Sequence, residues 1–377
     1  MGDDGLMKIA LIISSLGAGG SEKVLSMMAN YWAERGDEVA VVTIASSELD
    51  FFTLHAGVRR IALGLTSEST SVLGGIYHNV RRLRRLRREI KDIGPEGVIS
   101  FVDKTNILTV LATIGLGLRV VISERTDPSI QTIGWFWQEL RKFVYPRASA
   151  IVVQSEAVLK WARRNLRNCH VFRIPNPVAD CFVSKSRQGR VPEAPEGART
   201  IACLGRLGHE KGFDLLLESF ALCCDGNPDW RLVIYGEGSE RKHLEQMAHE
   251  LKIEDKVLLP GQIQNPRQVL EEVDLFVLPS RFEGFPNALL EAMSYGLPVI
   301  SFDCPSGPRE IIRNNKDGIL VAPGDVRLLA SAMKRLMNDS NERKRLGESA
   351  RRVRERFSME NIMKMWEEVL TGGNCCG

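Results

Sequence analysis

Short apolar runs rich in β-branched residues alternate with stretches of helical periodicity along this chain, and the alternation occurs twice, on either side of a proline-rich interruption. Strands separated by helices return to the same edge of a sheet, so the pattern predicts βαβ units and parallel sheets. In the first half strands are expected over 8–14, 38–44, 97–101, 120–123 and 150–154, each too apolar on both faces for a sheet with one wet side. In the second half they are expected over 200–205, 231–236, 257–259, 275–278 and 298–302, with helices near 213–224, 239–251, 287–295 and 326–338. The expected fold class is therefore α/β, with two Rossmann-like domains. At 377 residues the chain is long enough for both.

Between Pro175 and Arg199 the composition turns to Pro, Gly and charge, which reads as a linker. The expected layout is an amino-terminal domain over 1–178, a linker over 179–199 and a second domain over 200–355. A terminal helix in 356–377, apolar at Ile362, Met365, Trp366 and Val369, needs a surface and is expected to pack back on the first domain.

The eight cysteines form no C-x-x-C pair, so neither a zinc site nor a redox motif is indicated. The amino terminus lacks the pattern of a secretory signal. The longest mostly apolar stretch, 107–118, is too short to span a bilayer.

Charge is unevenly distributed. Residues 1–175 carry 23 Lys and Arg against 17 Asp and Glu, a net of +6, while the remainder is −3. Much of the excess lies in 81–91, where Arg81, Arg82, Arg84, Arg85, Arg87, Arg88 and Lys91 face a single acid, Glu89. Ile76, Val80, Leu83, Leu86 and Ile90 keep helical spacing through it, so it reads as a basic amphipathic helix. Arginine chelates phosphate oxygens through two donors, and a cationic face of this kind suits an anionic membrane surface or a diphosphate. The alternative is a solvated helix face. Nucleic acid is not expected, because no aromatic stacking pattern accompanies the arginines.

Gly17, Gly19 and Gly20 follow the first strand and precede a helix near 21–35, a loop that brings backbone amides up to a ligand. A dinucleotide site would need an acid at the end of the second strand, and none stands there before Glu48. In the second half, Gly205-Arg206-Leu207-Gly208-His209-Glu210-Lys211-Gly212 places two cations at the carboxyl end of a strand, where open α/β sheets bind ligands. Arg206 and Lys211 can hold a diphosphate there and stabilise it as a leaving group. Gly236, Glu237 and Gly261 end the next two strands. Pro279 to Met293 then contains Glu283 in a glycine loop and Glu291 eight residues on, inside a helix. Glu291 can accept hydrogen bonds from vicinal hydroxyls of a ribose while Glu283 faces a sugar. Asp303-Cys304-Pro305-Ser306-Gly307-Pro308 ends the strand after that. It either closes the site or makes a plain turn.

Together these motifs resemble the retaining glycosyltransferases of family 4, with the GT-B fold, in which two Rossmann-like domains face each other across a cleft. Ser123-Glu124-Arg125 and 303–308 further resemble the branch that transfers N-acetylgalactosamine or galactose onto undecaprenyl-diphosphate-linked saccharides in bacteria. The resemblance implies that Arg206 and Lys211 contact the donor diphosphate, that Glu291 binds the ribose, and that Glu283 approaches the donor sugar. It also implies that the loop amides of Gly284 and Phe285, with Pro286 and Asn287, surround the same ligand. Many members carry a histidine where this chain has Glu124 and Arg125, so these two and Asp103 stand as candidates for orienting the acceptor.

The implied activity is transfer of a hexose or N-acetylhexosamine from a UDP-sugar to a polyprenyl-diphosphate-linked saccharide, with retention. No D-x-D sequence occurs, so no metal or other cofactor is expected. Arg81, Arg84, Arg85 and Arg88 would hold the acceptor diphosphate or the inner face of the cell membrane, on which the protein would be peripheral. A UDP-sugar epimerase or a non-catalytic sugar-nucleotide-binding protein are the competing readings.

Overall fold

The computed structural model describes residues 6–66, 72–178, 197–263 and 265–373. They form two compact units: the residues up to Pro177 together with those from Glu360 onward, and Val178–Met359. Most of the expected linker, 179–196, lies outside the described residues.

The first unit runs β1 (Lys8–Ile13), α1 (Gly20–Glu34), β2 (Glu38–Thr43), β3 (Arg59–Ala62), α2 (Val72–Ile93), β4 (Gly97–Phe101), α3 (Asp103–Thr113), β5 (Arg119–Ser123), α4 (Trp135–Val144), β6 (Ala150–Val153), α5 (Glu156–Asn165) and β7 (Val171–Arg173). The second runs β8 (Arg199–Leu204), α6 (Phe213–Cys224), β9 (Trp230–Tyr235), α7 (Arg241–Glu250), β10 (Val257–Gly261), α8 (Pro266–Leu270), β11 (Leu275–Leu278), α9 (Asn287–Ser294), β12 (Val299–Phe302), α10 (Pro308–Ile311), β13 (Ile319–Val321), α11 (Val326–Asn338), α12 (Ser340–Ala350) and α13 (Val353–Arg356). The last helix, α14 (Met359–Thr371), belongs almost wholly to the first unit.

Both sheets are parallel, in the orders β3-β2-β1-β4-β5-β6-β7 and β10-β9-β8-β11-β12-β13. In each, the strand order reverses beside the first strand, between β1 and β4 and between β8 and β11. The βα loops leaving those pairs diverge and open a crevice at the carboxyl edge.

Alternation within the strands sorts the core. In the first unit Ala10, Ile12, Val98, Val120 and Ile122 point to the face covered by α2, α3, α4 and α5. The other face carries Phe101, against which Trp366 of α14 packs at 5.8 Å between ring centres. Trp366 is fully buried, and Trp32 of α1 donates its indole proton to Glu367 at 3.0 Å. Gly97 lets α14 approach: a Cβ there would sit 3.0 Å from Leu370.

The edge strands β3, β7 and β13 are absent from the sequence-based reading. They are three or four residues long with mixed exposure, too short to show a period. A second correction concerns α2. Leu86, Ile90 and Ile93 are buried as the helical spacing requires, but Ile76 and Val80 are 57% and 38% exposed. The amphipathic pattern continues past the part of the helix that has a core to meet.

Because Trp366 fills a fully buried site, Trp366→Ala should destabilise the first unit by about 3–5 kcal/mol. Denaturant unfolding followed by circular dichroism measures this.

Candidate functional site

The crevice beside β8 and β11 gathers the second-half motifs. After β8 the chain turns through Gly205 to Gly208, makes a short 3-10 turn at His209–Lys211, and enters α6 through Gly212. Gly212 has φ +66°, and a Cβ on it would lie 2.1 Å from the Pro279 carbonyl oxygen, so only glycine fits where the two loops touch. Arg281 fastens them: it donates to both oxygens of Asp214 at 2.7 and 2.6 Å and to the His209 carbonyl at 2.8 Å. The Arg281 amide donates to the Glu210 carbonyl at 2.9 Å.

This fastening brings Lys211 within 2.7 Å of Glu283, although 72 residues separate them. The Ser280 hydroxyl donates to the same Glu283 oxygen at 2.6 Å, and the Ser306 hydroxyl donates to the Glu283 backbone carbonyl. Lys211 and Glu283 are largely covered, with side chains 23% and 9% exposed. Arg206 stands at the rim, its side chain 72% exposed and paired with Glu210 at 2.6 Å. A short polar constellation thus presents one covered and one exposed cation at a strand terminus, which fits a ligand carrying two adjacent negative charges.

The other donor-side candidates surround this pair. Gly236 packs so closely on the β8 turn that a Cβ would meet the Gly205 carbonyl oxygen at 1.8 Å. Its amide donates to the Gly261 carbonyl at 2.9 Å, while Glu237 pairs with Arg241 at 2.7 Å. Gly284 to Pro286 lead into α9, which no side chain caps and whose first turn therefore directs amide donors towards the same edge. The Phe285 ring is buried against Phe357, so this residue can offer only its backbone. Glu291 is buried within α9, not on the surface that a purely structural role would suggest. Burial, with the nearby Glu283 carboxylate adding to it, pushes the Cys304 thiol up to about 12, so it acts as packing beside the site.

The first-half candidates converge beside β1 and β4. A cavity of about 360 Å³ is lined by Ser21, Asp103, Lys104, Arg125, Thr126 and Gln131 among others. Gly17, Gly19 and Gly20 form the loop after β1, with the Glu22 carboxylate folded back on Gly19. Asp103 is presented by Val102, whose φ of +74° is a strained conformation for a β-branched residue. Arg125 is buried, lies 4.3 Å over the Phe101 ring and donates to Asn176 at 2.7 Å. Burial lowers its pKa to about 9, with Glu22 opposing the shift.

Glu124 is placed otherwise than expected. It is 2% exposed, lies outside the cavity lining, accepts a hydrogen bond from the Tyr145 hydroxyl and pairs with Arg141 at 3.6 Å. Burial raises the pKa of both Glu124 and Tyr145, against the attraction of Arg141 on the carboxylate. Arg141 also reaches Asp103 at 3.8 Å and so links Glu124 to the cavity lining. Arg281, Ser280, Ser306, Arg141 and Tyr145 were missed by sequence reasoning. Ser280 and Arg281 lie inside the motif that contains Glu283, and Ser306 inside 303–308, and those positions are the signal available.

Arg81, Arg84, Arg85 and Arg88 line a groove of about 560 Å³ together with Leu63, Leu65, Tyr77 and Val80. Arg85 and Arg88 pair with Glu89 and Asp92 one turn on, and Arg87 instead donates to the carbonyls of Ala112 and Ile114.

Comparison with known proteins agrees with this division. Residues 184–353 match the family described as glycosyl transferases group 1, and residues 19–177 match the glycosyl transferase 4-like domain. Among curated relatives, the GalNAc-alpha-(1->4)-GalNAc-alpha-(1->3)-diNAcBac-PP-undecaprenol alpha-1,4-N-acetyl-D-galactosaminyltransferase of Campylobacter jejuni is 28% identical over 370 residues, covering 97% of this chain and 98% of that protein. Among solved structures, sucrose-phosphate synthase from Thermosynechococcus elongatus superposes with a TM-score of 0.81 at 19% identity, over 97% of this chain and 98% of that one. Anabaena HepE in complex with UDP gives 0.76 at 19% identity, over 97% and 100%. These structures share the fold.

Gly212→Ala should collide with Pro279, separate the two loops and destabilise the second unit by about 1–3 kcal/mol. Thermal unfolding of the variant checks this, and a melting temperature equal to that of the unsubstituted protein would contradict the contact.

Proposed function

This chain is a glycosyltransferase and belongs to the group 1 family with the GT-B fold, and on that premise we propose its reaction. It moves an N-acetylhexosamine, with N-acetylgalactosamine as the best assignment, from a UDP-sugar to a saccharide carried on a polyprenyl diphosphate, with retention of anomeric configuration. The observation that carries this reading is the Lys211–Glu283 pair beside exposed Arg206 at the β8/β11 crevice. The likeness to the Campylobacter enzyme along 97% of the chain supports the acceptor class, and the UDP bound by HepE supports the nucleotide.

In the unliganded pair, Lys211 and Glu283 neutralise each other. An arriving diphosphate competes for the Lys211 ammonium, and Arg206 reaches the second phosphate from the rim. Glu283, still held by the Ser280 hydroxyl, then has an oxygen available to accept a hydrogen bond from the donor sugar. As the glycosidic bond lengthens, negative charge grows on the departing UDP, and the two cations drawn onto it stabilise that charge more than they stabilise the ground state. The acceptor hydroxyl attacks the oxocarbenium-like carbon from the face that UDP leaves, and a diphosphate oxygen takes its proton. Glu291 holds the ribose hydroxyls, and the first-turn amides of α9 lie against the phosphates. The cations take the part that a divalent metal plays in other transferases.

In the first unit, Asp103 and Arg125 line the cavity that would receive the acceptor's terminal sugar, one accepting and one donating hydrogen bonds. The groove along α2 would hold the acceptor diphosphate. Among the described residues no helix is long and apolar enough to cross a membrane, and we place the protein on the inner membrane face, where such acceptors are displayed.

Incubation with a panel of nucleotide sugars, with and without a bacterial lipid extract, should release UDP from UDP-N-acetylgalactosamine in an acceptor-dependent manner, and EDTA should leave the rate unchanged. Arg206→Ala and Lys211→Ala should each lower kcat roughly 100- to 1000-fold. Turnover that survives both substitutions together would overturn the assignment.

Replacing Arg81, Arg84, Arg85 and Arg88 with Gln should raise the KM for the lipid-linked acceptor with little change in kcat. An unchanged KM would remove α2 from acceptor binding.

A further inference from the structure

On the sheet face covered by α2 to α5, helix α4 presents three large aromatic side chains to solvent: Trp135, Phe136 and Phe143 are 78%, 61% and 67% exposed. Phe136 and Phe143 stand seven residues apart and so share one side of the helix. Helices that follow parallel strands begin at the carboxyl edge, so the first turns of α2 and α4 lie at the same edge. There α2 also exposes Ile76 and Tyr77, at 57% and 64%. Apolar groups of this size are normally sheltered, and three of them on one short helix mark an interaction surface.

The surrounding charge identifies the partner. On α2 to α5 and the turn after α4 there are eleven exposed Lys and Arg against one exposed acid, Asp92, three part-buried ones, Asp103, Glu139 and Glu156, and the buried Glu89. The interface of a protein partner is depleted of charge at its centre, and lysine is disfavoured there. Exposed aromatics on a face rich in cations instead match the boundary between anionic headgroups and acyl chains, where Trp is enriched and each nearby cation adds attraction.

We propose that α4 is a membrane-insertion element: Trp135, Phe136 and Phe143 enter the headgroup boundary of an anionic bilayer while the cations of this face lie against the lipid phosphates. This rests on the lipid-linked acceptor reading and deepens it by assigning anchorage to α4, with the α2 arginines serving both the lipid phosphates and the acceptor diphosphate.

The test uses the full-length protein, vesicles of phosphatidylcholine with or without phosphatidylglycerol and no lipid-linked substrate. The unsubstituted protein should co-sediment with the anionic vesicles. Brominated acyl chains should quench its tryptophan emission, and W135F should lose that quenching. The triple variant W135A/F136A/F143A should bind at least about tenfold more weakly. Its melting temperature and its turnover with a water-soluble acceptor should be unchanged. Retained vesicle binding by the triple variant, or no binding by the unsubstituted protein, overturns the proposal. So does a dimer in sedimentation velocity that the triple variant abolishes, because the surface would then fit a second copy. Turnover with the soluble acceptor reports on the glycosyltransferase reading separately.

Discussion

Where the order of a parallel sheet reverses, two βα loops diverge, and contacts between the loops must bridge the gap. In the second unit that bridge is the ion pair of Lys211 and Glu283 at 2.7 Å, braced by Arg281 on Asp214 and by Gly212 under Pro279. Everything chemically useful in this unit is arranged around it. The covered carboxylate is held by Ser280, the loop of 303–308 is tied in through Ser306, and α9 starts from the far side of the same loop.

The depth of legibility follows from burial. Strands such as Gly97–Phe101, enclosed on both faces, leave an apolar run that cannot be solvent-exposed, and sequence placed them within a residue or two. Edge strands β3, β7 and β13 have no such signature, since each is only three or four residues long and partly exposed. The site separates in the same way. Lys211 and Glu283 were recognisable because they sit in glycine-bearing motifs at strand ends, yet their contact depends on strand order, which local pattern does not encode. Arg141 shows no signal at all: it looks like any charge on an amphipathic helix, and only the fold shows it 1% exposed between Glu124 and Asp103.

Burial also explains where periodicity misleads. The apolar spacing of α2 continues through Val80 and Ile76, but the helix extends beyond the part of the sheet able to cover it. Helical period reports which side chains share a side, and it cannot report whether that side has anything to pack on. The same limit applies to the aromatics of α4, whose exposure the chain pattern does not reveal.

The two units share one architecture and commit their cations differently. In the first, Arg125 and Arg141 are buried, Arg125 stacked on an aromatic ring and Arg141 paired with carboxylates, so each is already neutralised or positioned by the protein. Drawing such a group onto a new anion would expose another buried charge, which is costly. They therefore set the geometry of the cavity more than they add attraction to it. In the second unit Arg206 is largely solvated and its partner Glu210 is replaceable by a stronger anion, at small cost because exposed pairs are worth little. An anion in solution thus finds Arg206 available at the β8/β11 crevice, whereas the arginines beside the β1/β4 cavity are already committed to partners within the protein. One fold, used twice, leaves an arginine solvated at one crevice and buries its arginines beside the other.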